Sequence, residues 1–118
     1  MVKDYSNGET LVYGVIGDPI HHTFSPQIQN TFAKACEKNI MYVPFHVKAE
    51  GLKDAIKGAY ELNIKGLNVT VPHKKEVMEC LCAIDERAKQ IGAVNTLKYT
   101  PEGYVGYNTD FILSLIHI

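Results

Sequence analysis

The residues best suited to chemistry lie in one stretch near the middle of the chain, residues 66–75. Its sequence, GLNVTVPHKK, reads as a short buried strand that runs into a proline, a histidine and two lysines. Asn68, Thr70 and Lys74 place an amide, a hydroxyl and an ammonium group at the end of this strand. Polar side chains at one edge of an α/β sheet commonly build a small-molecule site. The stretch therefore predicts a binding site, and the rest of the chain is expected to frame it.

Three further polar clusters fall at or near the ends of predicted strands. They are Thr23 with Ser25, Asn95 with Thr96, and the NTD sequence at residues 108–110. The carboxyl ends of parallel strands share one edge of a sheet, and ligands bind in the crevice outside that edge. The clusters offer hydroxyls, amides, one lysine and one carboxylate. This set suits a small polyhydroxylated ligand better than an apolar or phosphorylated one.

Each of these residues also has a purely structural explanation. Ser25 and Asp110 can be helix N-caps, and Thr70 can be an ordinary β-branched strand residue. Lys74 can be a solvated surface lysine. Asn95 is harder to explain in this way, because the pattern places it within a strand, where Asn is depleted. The functional interpretation gains from the fact that one predicted crevice would hold the whole set.

The hydrophobic pattern predicts five strands, at residues 11–17, 41–47, 64–71, 93–99 and 104–107. The first is a continuous apolar run, typical of a strand buried on both faces. The second contains Pro44, which favours an edge position or a bulge. The last two strands form a hairpin across a turn.

Helices are predicted from Ser25 to about residue 38, after Gly51, from Lys74 to about Leu81, from Asp85 to Ile91, and from residue 108 onwards. The first has one apolar face, made of Ile28, Phe32, Ala35 and Cys36. Gly92 is the predicted stop of the fourth helix. The alternation predicts an α/β fold, a three-layer α-β-α domain with a mostly parallel mixed sheet that ends in a β-hairpin and a short helix.

Length and composition fit one globular domain. The chain has 118 residues, of which 46% are hydrophobic and 21% charged, and its net charge is -1. These values favour neither nucleic acid nor an anionic membrane as a partner. Because the sequence shows no apolar run of about 20 residues, no signal peptide and no cysteine framework, a reduced cytoplasmic setting is expected.

The histidines and cysteines do not form a metal-ligand pattern. No zinc spacing relates His21, His22, His46 and His73 to the Cys80-x-Cys82 pair, so no metal is expected. His73 either lines the mouth of the predicted site or is a solvated loop residue, and the solvated position is favoured.

Four sequence blocks resemble one enzyme family. Residues 13–20 (YGVIGDPI) followed by residues 22–26 (HTFSP) resemble the opening signature of shikimate dehydrogenase, and residues 68–74 (NVTVPHK) resemble its catalytic-lysine motif. Residues 92–96 (GAVNT) and 106–110 (GYNTD) match two further blocks in the right order. The ordered set spans most of the chain and is far more specific than any one block.

The resemblance implies that residues 1–118 are the shikimate-binding (catalytic) domain of an enzyme that reversibly reduces 3-dehydroshikimate to shikimate with NADPH, in aromatic amino-acid biosynthesis. Family members carry a second, NADP-binding Rossmann domain. No glycine-rich phosphate loop occurs in this sequence, so that domain is expected to be absent from this chain, which would bind no cofactor alone. Residues 113–118 also depart from the family pattern.

The resemblance further assigns roles to individual residues. Thr23, where the family more often has serine, and Ser25 would bind the substrate carboxylate. Thr70, Asn95 and Asp110 would bind ring hydroxyls, and catalysis would rest on Lys74 and Asp110.

The proposed chemistry suits a lysine. When hydride reaches a ketone carbon, charge develops on oxygen, and a nearby ammonium stabilises it and can deliver the proton. A helix starting at Lys74 would disfavour its charged form and Asp110 would favour it, so the two are assigned as a pair. Whether Lys74 is the proton donor or an electrostatic clamp stays open.

Two other functions remain open at this point. The same motifs suit a quinate or quinate/shikimate dehydrogenase, and the chain could also be a non-catalytic module that binds a shikimate-like ligand. The missing cofactor domain would leave an edge bare, through which a homodimer could form.

Overall fold

The structure, a computed structural model, describes residues 6–20 and 25–109, without the side chain of Ser25. Six strands of this part form one sheet: β1 (Leu11–Gly17), β2 (Ile40–His46), β3 (Gly66–Val69), β4 (Ala83–Ile84), β5 (Thr96–Thr100) and β6 (Gly103–Tyr107). Their order is β2-β1-β3-β5-β6-β4. Only β5 runs against its neighbours, which confirms the mostly parallel mixed sheet and the β5–β6 hairpin.

The helices are α1 (Ser25–Ala35), α2 (Leu52–Glu61) and α3 (Glu86–Ile91), with 3₁₀ segments at Ala49–Gly51 and Glu76–Cys80. The main core joins α2, α3 and the second 3₁₀ segment to one face of the sheet. Its buried side chains include Ile16, Leu67, Val69, Leu97, Tyr104, Leu52, Ile56, Val77 and Ala88. The predicted three-layer α-β-α arrangement is confirmed, because α1 lies on the opposite face, where a smaller cluster contains Val15, Ile20 and Tyr42.

Several strand predictions need adjustment. The bounds of β1 are those predicted, and Pro44 does lie on an edge strand, because β2 pairs with β1 alone. The third strand is shorter than expected and ends at Val69, before Thr70. The strand predicted from residue 93 begins at Thr96, so placing Asn95 inside a strand was wrong. The two-residue β4 was missed because so short a segment carries no periodic pattern.

The apolar face predicted for α1 does not pack against the sheet. Ile28 is 65% exposed and Phe32 is 68% exposed. The helix instead turns Ala33 inward, and the carboxamide of Asn30 bonds both main-chain groups of Tyr42 on β2. A small residue and a hydrogen-bonding residue therefore attach this helix, which a pattern based on hydrophobicity alone does not detect.

No helix begins at Lys74. This residue lies in a turn, and the five-residue 3₁₀ segment starts two residues later, at Glu76. The expectation that a helix dipole disfavours the charged form of Lys74 therefore fails, since that effect is confined to the first turn of a helix. The inward direction of Val77, which is fully buried, is confirmed.

The ends of α3 follow the prediction. Asp85 is the N-cap, and its carboxylate accepts the main-chain N–H of Arg87 at 3.2 Å. Gly92 ends the helix in the left-handed conformation, with φ of 80°. Thr109 is helical, as expected of the last predicted helix, and the remainder of that helix lies outside the described residues.

Candidate functional site

The sheet topology brings three of the predicted site residues to one edge. Strands β1, β3 and β6 end there, and β5 begins there because it runs the opposite way. The main chain joins the strand ends directly: Val69 N–H donates to Asn95 O at 2.8 Å, and Val94 N–H donates to Lys74 O at 2.8 Å. Thr70, Lys74 and Asn95 therefore lie near the same edge of the sheet. Their functional roles remain predictions.

Thr70 directly follows β3 and is held against β1. Its main-chain N–H and its hydroxyl both donate to the carbonyl of Ile16, at 3.0 and 2.8 Å. The hydroxyl proton is thereby used, and the oxygen keeps lone pairs that can accept a hydrogen bond from a ligand hydroxyl. Gly17 makes room for this arrangement, because a Cβ there would lie 2.1 Å from Thr70 Oγ1.

Asn95 makes hydrogen bonds with both its oxygen and its amide nitrogen. Its Oδ1 accepts the main-chain N–H of Thr109 at 3.0 Å and the hydroxyl of Thr96 at 2.9 Å. Its Nδ2 donates to Thr109 Oγ1 at 3.1 Å. An amide nitrogen carries two hydrogens, so this geometry leaves a second donor for a ligand. It also fixes the chain one residue before Asp110.

Three other sequence-predicted site residues lie wholly or partly outside the described residues. Thr23 and Asp110 lie outside the described residues, as does the side chain of Ser25. The helix that Ser25 opens does begin at that residue. Lys74 is partly exposed, and its pairing with Asp110 stays a prediction.

The structure corrects the position expected for His73. This side chain is not solvated: only 1% of it is exposed, and its Nε2 lies 2.5 Å from the carbonyl oxygen of Val47. Since a carbonyl can only accept, Nε2 carries the hydrogen. Val71, two residues earlier, is 70% exposed, so the loop turns from solvent into the interior between the two positions. Neither periodicity nor polarity could reveal this, because the loop has no regular repeat.

Sequence reasoning also missed a tyrosine beside the site. Tyr42 is buried, its hydroxyl donates to Asn68 Oδ1 at 2.5 Å, and burial raises its pKa to about 12. The phenol therefore stays protonated as a donor, and this bond leaves the two amide hydrogens of Asn68 unused. A cavity of about 660 Å³ on this face of the sheet is lined by both residues and by Thr96 and Thr109.

A hydrogen bond between His46 and Asp18 lies beside the start of the loop that follows β1. His46 Nε2 is 2.7 Å from Asp18 Oδ1, and both side chains are substantially exposed. The main-chain N–H of Asp18 also donates to Val71 O at 3.1 Å. These contacts hold the beginning of the loop that carries Thr23 against the ends of β2 and β3.

The loop after β3 contains no glycine-rich turn of the kind that binds a dinucleotide phosphate. A phosphate is usually bound by free main-chain N–H groups in a glycine-rich turn that opens a helix. In the loop after β3, the N–H groups of Thr70 and His73 are already bonded to Ile16 O and Thr70 O.

Among the described residues, no group of three or more potential ligand side chains could hold a metal ion, and no helix could cross a bilayer.

Comparisons with known proteins agree on one family. A family model for the shikimate dehydrogenase substrate binding domain matches residues 15–97. The shikimate dehydrogenase (NADP(+)) of Methanosphaera stadtmanae is 50% identical over 111 residues, which are 94% of this chain and 39% of that relative.

Solved structures give the same result. The crystal structure of shikimate dehydrogenase from Aquifex aeolicus superposes with a TM-score of 0.89 at 43% identity, over 95% of this chain and 42% of that one. A shikimate dehydrogenase in complex with NADP+ gives 0.90 at 46% identity, over 95% of this chain and 39% of that one. The chain thus spans about two fifths of the length of these relatives, and it belongs to the shikimate dehydrogenase substrate-binding domain family.

Proposed function

We propose that residues 1–118 form the shikimate-binding half of a cytoplasmic, NADP-dependent shikimate dehydrogenase. In the complete enzyme, a second domain holds NADP(H), which supplies or accepts the hydride that interconverts 3-dehydroshikimate and shikimate. The observation that carries this proposal is the convergence of Thr70, Lys74 and Asn95 at one sheet edge, within a chain of this family. The available donors and acceptors at that edge match a ligand rich in hydroxyls.

The contacts of Thr70 and Asn95 support one direction of hydrogen bonding to the ligand for each of these two side chains. The Thr70 hydroxyl donates its hydrogen bond to Ile16 O, so its oxygen accepts a hydrogen bond from a ring hydroxyl of the substrate. Asn95 has a second amide hydrogen and donates to a ring hydroxyl. Asp110 follows Thr109 directly and accepts from a hydroxyl as well. Thr23, which follows β1 in the sequence, and Ser25, the first residue of α1, supply hydroxyl donors for the substrate carboxylate.

Lys74 and Asp110 are the catalytic pair of this proposal. The Lys74 ammonium lies beside the ketone oxygen, stabilises the negative charge that develops on it, and supplies the proton that makes the alcohol. Asp110 keeps the lysine charged and oriented. Because no helix begins at Lys74, no helix dipole opposes its positive charge.

Titrating shikimate into the isotopically labelled chain tests the binding half of the proposal. We expect millimolar shikimate to shift the resonances of Thr70, Lys74 and Asn95, and Thr70→Val to weaken binding. Lys57→Ala is a matched control, since Lys57 is an exposed lysine on α2, away from the ends of the strands. Unchanged spectra around the sheet edge would rule out a shikimate site there.

NADP+-dependent oxidation of shikimate by the complete protein tests the reaction. Lys74→Ala should abolish turnover and leave shikimate binding within about threefold, because this residue acts on charge that develops during the reaction. Quinate serves as the competing substrate. Faster turnover of quinate than of shikimate would show that quinate, and not shikimate, is the preferred substrate.

A further inference from the structure

We infer that His73 is the positioning residue for Lys74; the inference rests on the proposed function of that lysine. Lys74 lies outside the helices and strands, in a loop between β3 and the 3₁₀ segment Glu76–Cys80. Something other than regular structure must therefore fix its position. The preceding side chain is the most deeply buried polar one among the described residues, with 1% exposed.

The contacts of His73 hold the loop at three points. Its ring donates to Val47 O at 2.5 Å, its main-chain N–H donates to Thr70 O at 2.9 Å, and its carbonyl accepts Val77 N–H at 3.0 Å. The next carbonyl, that of Lys74, accepts Val94 N–H. The Lys74 carbonyl thus ties the loop to the chain before β5, and the His73 ring ties it to the end of β2, which Val47 directly follows.

This tie connects the two sides of the proposed substrate site. Val47 N–H donates to Gly17 O at 3.1 Å, at the end of β1, while its carbonyl receives the ring of His73. Thr23 and Ser25 follow this end of β1 in the sequence. The His73 ring thus sets the position of the lysine loop relative to the ends of β1 and β2, and a displacement of about 1 Å there can lower turnover by about 100-fold.

Kinetics of the complete protein test the inference. His73→Leu removes the donor and introduces an apolar side chain of similar bulk. We expect kcat to fall by about 10- to 100-fold, while KM for shikimate changes less than about threefold. His73→Gln offers an amide N–H at nearly the reach of Nε2 and should restore most of kcat. A loss of kcat smaller than fivefold in His73→Leu, or a change confined to KM, would overturn the inference.

A matched control separates positioning from general stability. Tyr104 is also buried and donates from its side chain to a main-chain carbonyl, that of Ile64 at 2.6 Å, but at the opposite end of the sheet. Tyr104→Phe should lower the melting temperature about as much as His73→Leu and leave kcat unchanged. If His73→Leu does not fold, His73→Asn, whose amide is shorter, takes its place with the same criteria.

Two further readouts distinguish this inference from the proposed function. The ¹³Cε resonance of Lys74 should move in His73→Leu and stay in place in Tyr104→Phe, whatever reaction the protein catalyses. An unmoved resonance would overturn the positioning role. Lys74→Ala, measured in the same experiment, tests the proposed function. Retained turnover in that variant would show that the lysine has no catalytic role.

Discussion

The side-chain carboxamide of Asn95 and the residue Thr109 are bonded to each other in two directions, by Thr109 N–H to Oδ1 at 3.0 Å and by Nδ2 to Thr109 Oγ1 at 3.1 Å. The bonds join the residue before β5 to the segment that follows β6. They therefore fix the chain next to Asp110 by a side chain that is itself proposed to bind substrate. One residue thus has a structural and a functional role at the same time.

Asn95→Ala should loosen this segment even without ligand. Removing the carboxamide deletes the acceptor of the Thr109 N–H, so we expect hydrogen exchange of that amide to accelerate at least tenfold and the free energy of unfolding to fall by about 1 kcal/mol. Thr96→Val is the control, because it removes another partner of Asn95 Oδ1 and leaves Thr109 bonded. Equal exchange of the Thr109 amide in Asn95→Ala and the wild type would contradict this role.

Gly17→Ala should disturb Thr70. The new methyl group would lie 2.1 Å from Thr70 Oγ1 and 3.1 Å from Ile20 Cδ1, so the hydroxyl must leave Ile16 O. We expect a loss of about 1–3 kcal/mol in the free energy of unfolding, as is usual for overpacking. Urea denaturation measures the loss.

A double-mutant cycle and a second glycine make this test specific. Thr70→Ala combined with Gly17→Ala should cost less than the sum of the single changes. Gly58→Ala, within α2 and with no atom within 4 Å of the new Cβ, should raise stability by about 0.5–1 kcal/mol. A strictly additive cycle would show that the two residues do not collide.

Tyr42→Phe should be less stable than the wild type, and the difference in the free energy of unfolding should become smaller as the pH rises. Burial raises the pKa of Tyr42 from 10.0 to about 12, so the neutral phenol stabilises the fold below pH 10 and this contribution is lost between pH 10 and about 12. The variant lacks the hydrogen bond to Asn68, which costs about 1 kcal/mol at pH 9, but it also lacks the alkaline loss. Urea unfolding at pH 9 and pH 11 should show the gap shrinking.

Asn68→Ala provides the comparison for this pH effect. It removes the same hydrogen bond, of 2.5 Å, and keeps the buried phenol. Its deficit relative to the wild type should therefore stay nearly constant from pH 9 to pH 11, because the cause of the raised Tyr42 pKa is burial. A parallel pH dependence in the two variants would assign the effect to the hydrogen bond instead.

The parts of the fold that follow from local rules could be predicted from the sequence. The apolar run of β1, the edge position implied by Pro44, and the cap and stop of α3 at Asp85 and Gly92 were all confirmed. Each depends on a local rule of backbone geometry or burial. Thr70 lies at the expected edge because it follows a parallel strand, whereas Asn95 reaches the same edge because β5 is antiparallel and begins there.

The parts that failed depend on individual tertiary contacts. The orientation of α1 was wrong because Asn30 attaches the helix through hydrogen bonds, while Ile28 and Phe32 remain exposed. His73 was expected in solvent because nothing local indicates that Val47 O accepts its ring. Such contacts have no period along the chain, so a pattern of hydrophobic residues cannot reveal them.

Asn30→Ala should weaken the attachment of α1 to the edge of the sheet. The Asn30 carboxamide donates to Tyr42 O at 2.8 Å and accepts from Tyr42 N–H at 2.7 Å, on the outer side of β2, so its loss leaves two partly buried main-chain groups unpaired. We expect a loss of about 1–3 kcal/mol in the free energy of unfolding and faster exchange of the Tyr42 amide. Gln27→Ala, on the exposed side of the same helix, should change stability by less than about 0.5 kcal/mol. If the Tyr42 amide exchanges at the same rate in both variants, the carboxamide does not hold the helix, and the small apolar contact of Ala33 must do so.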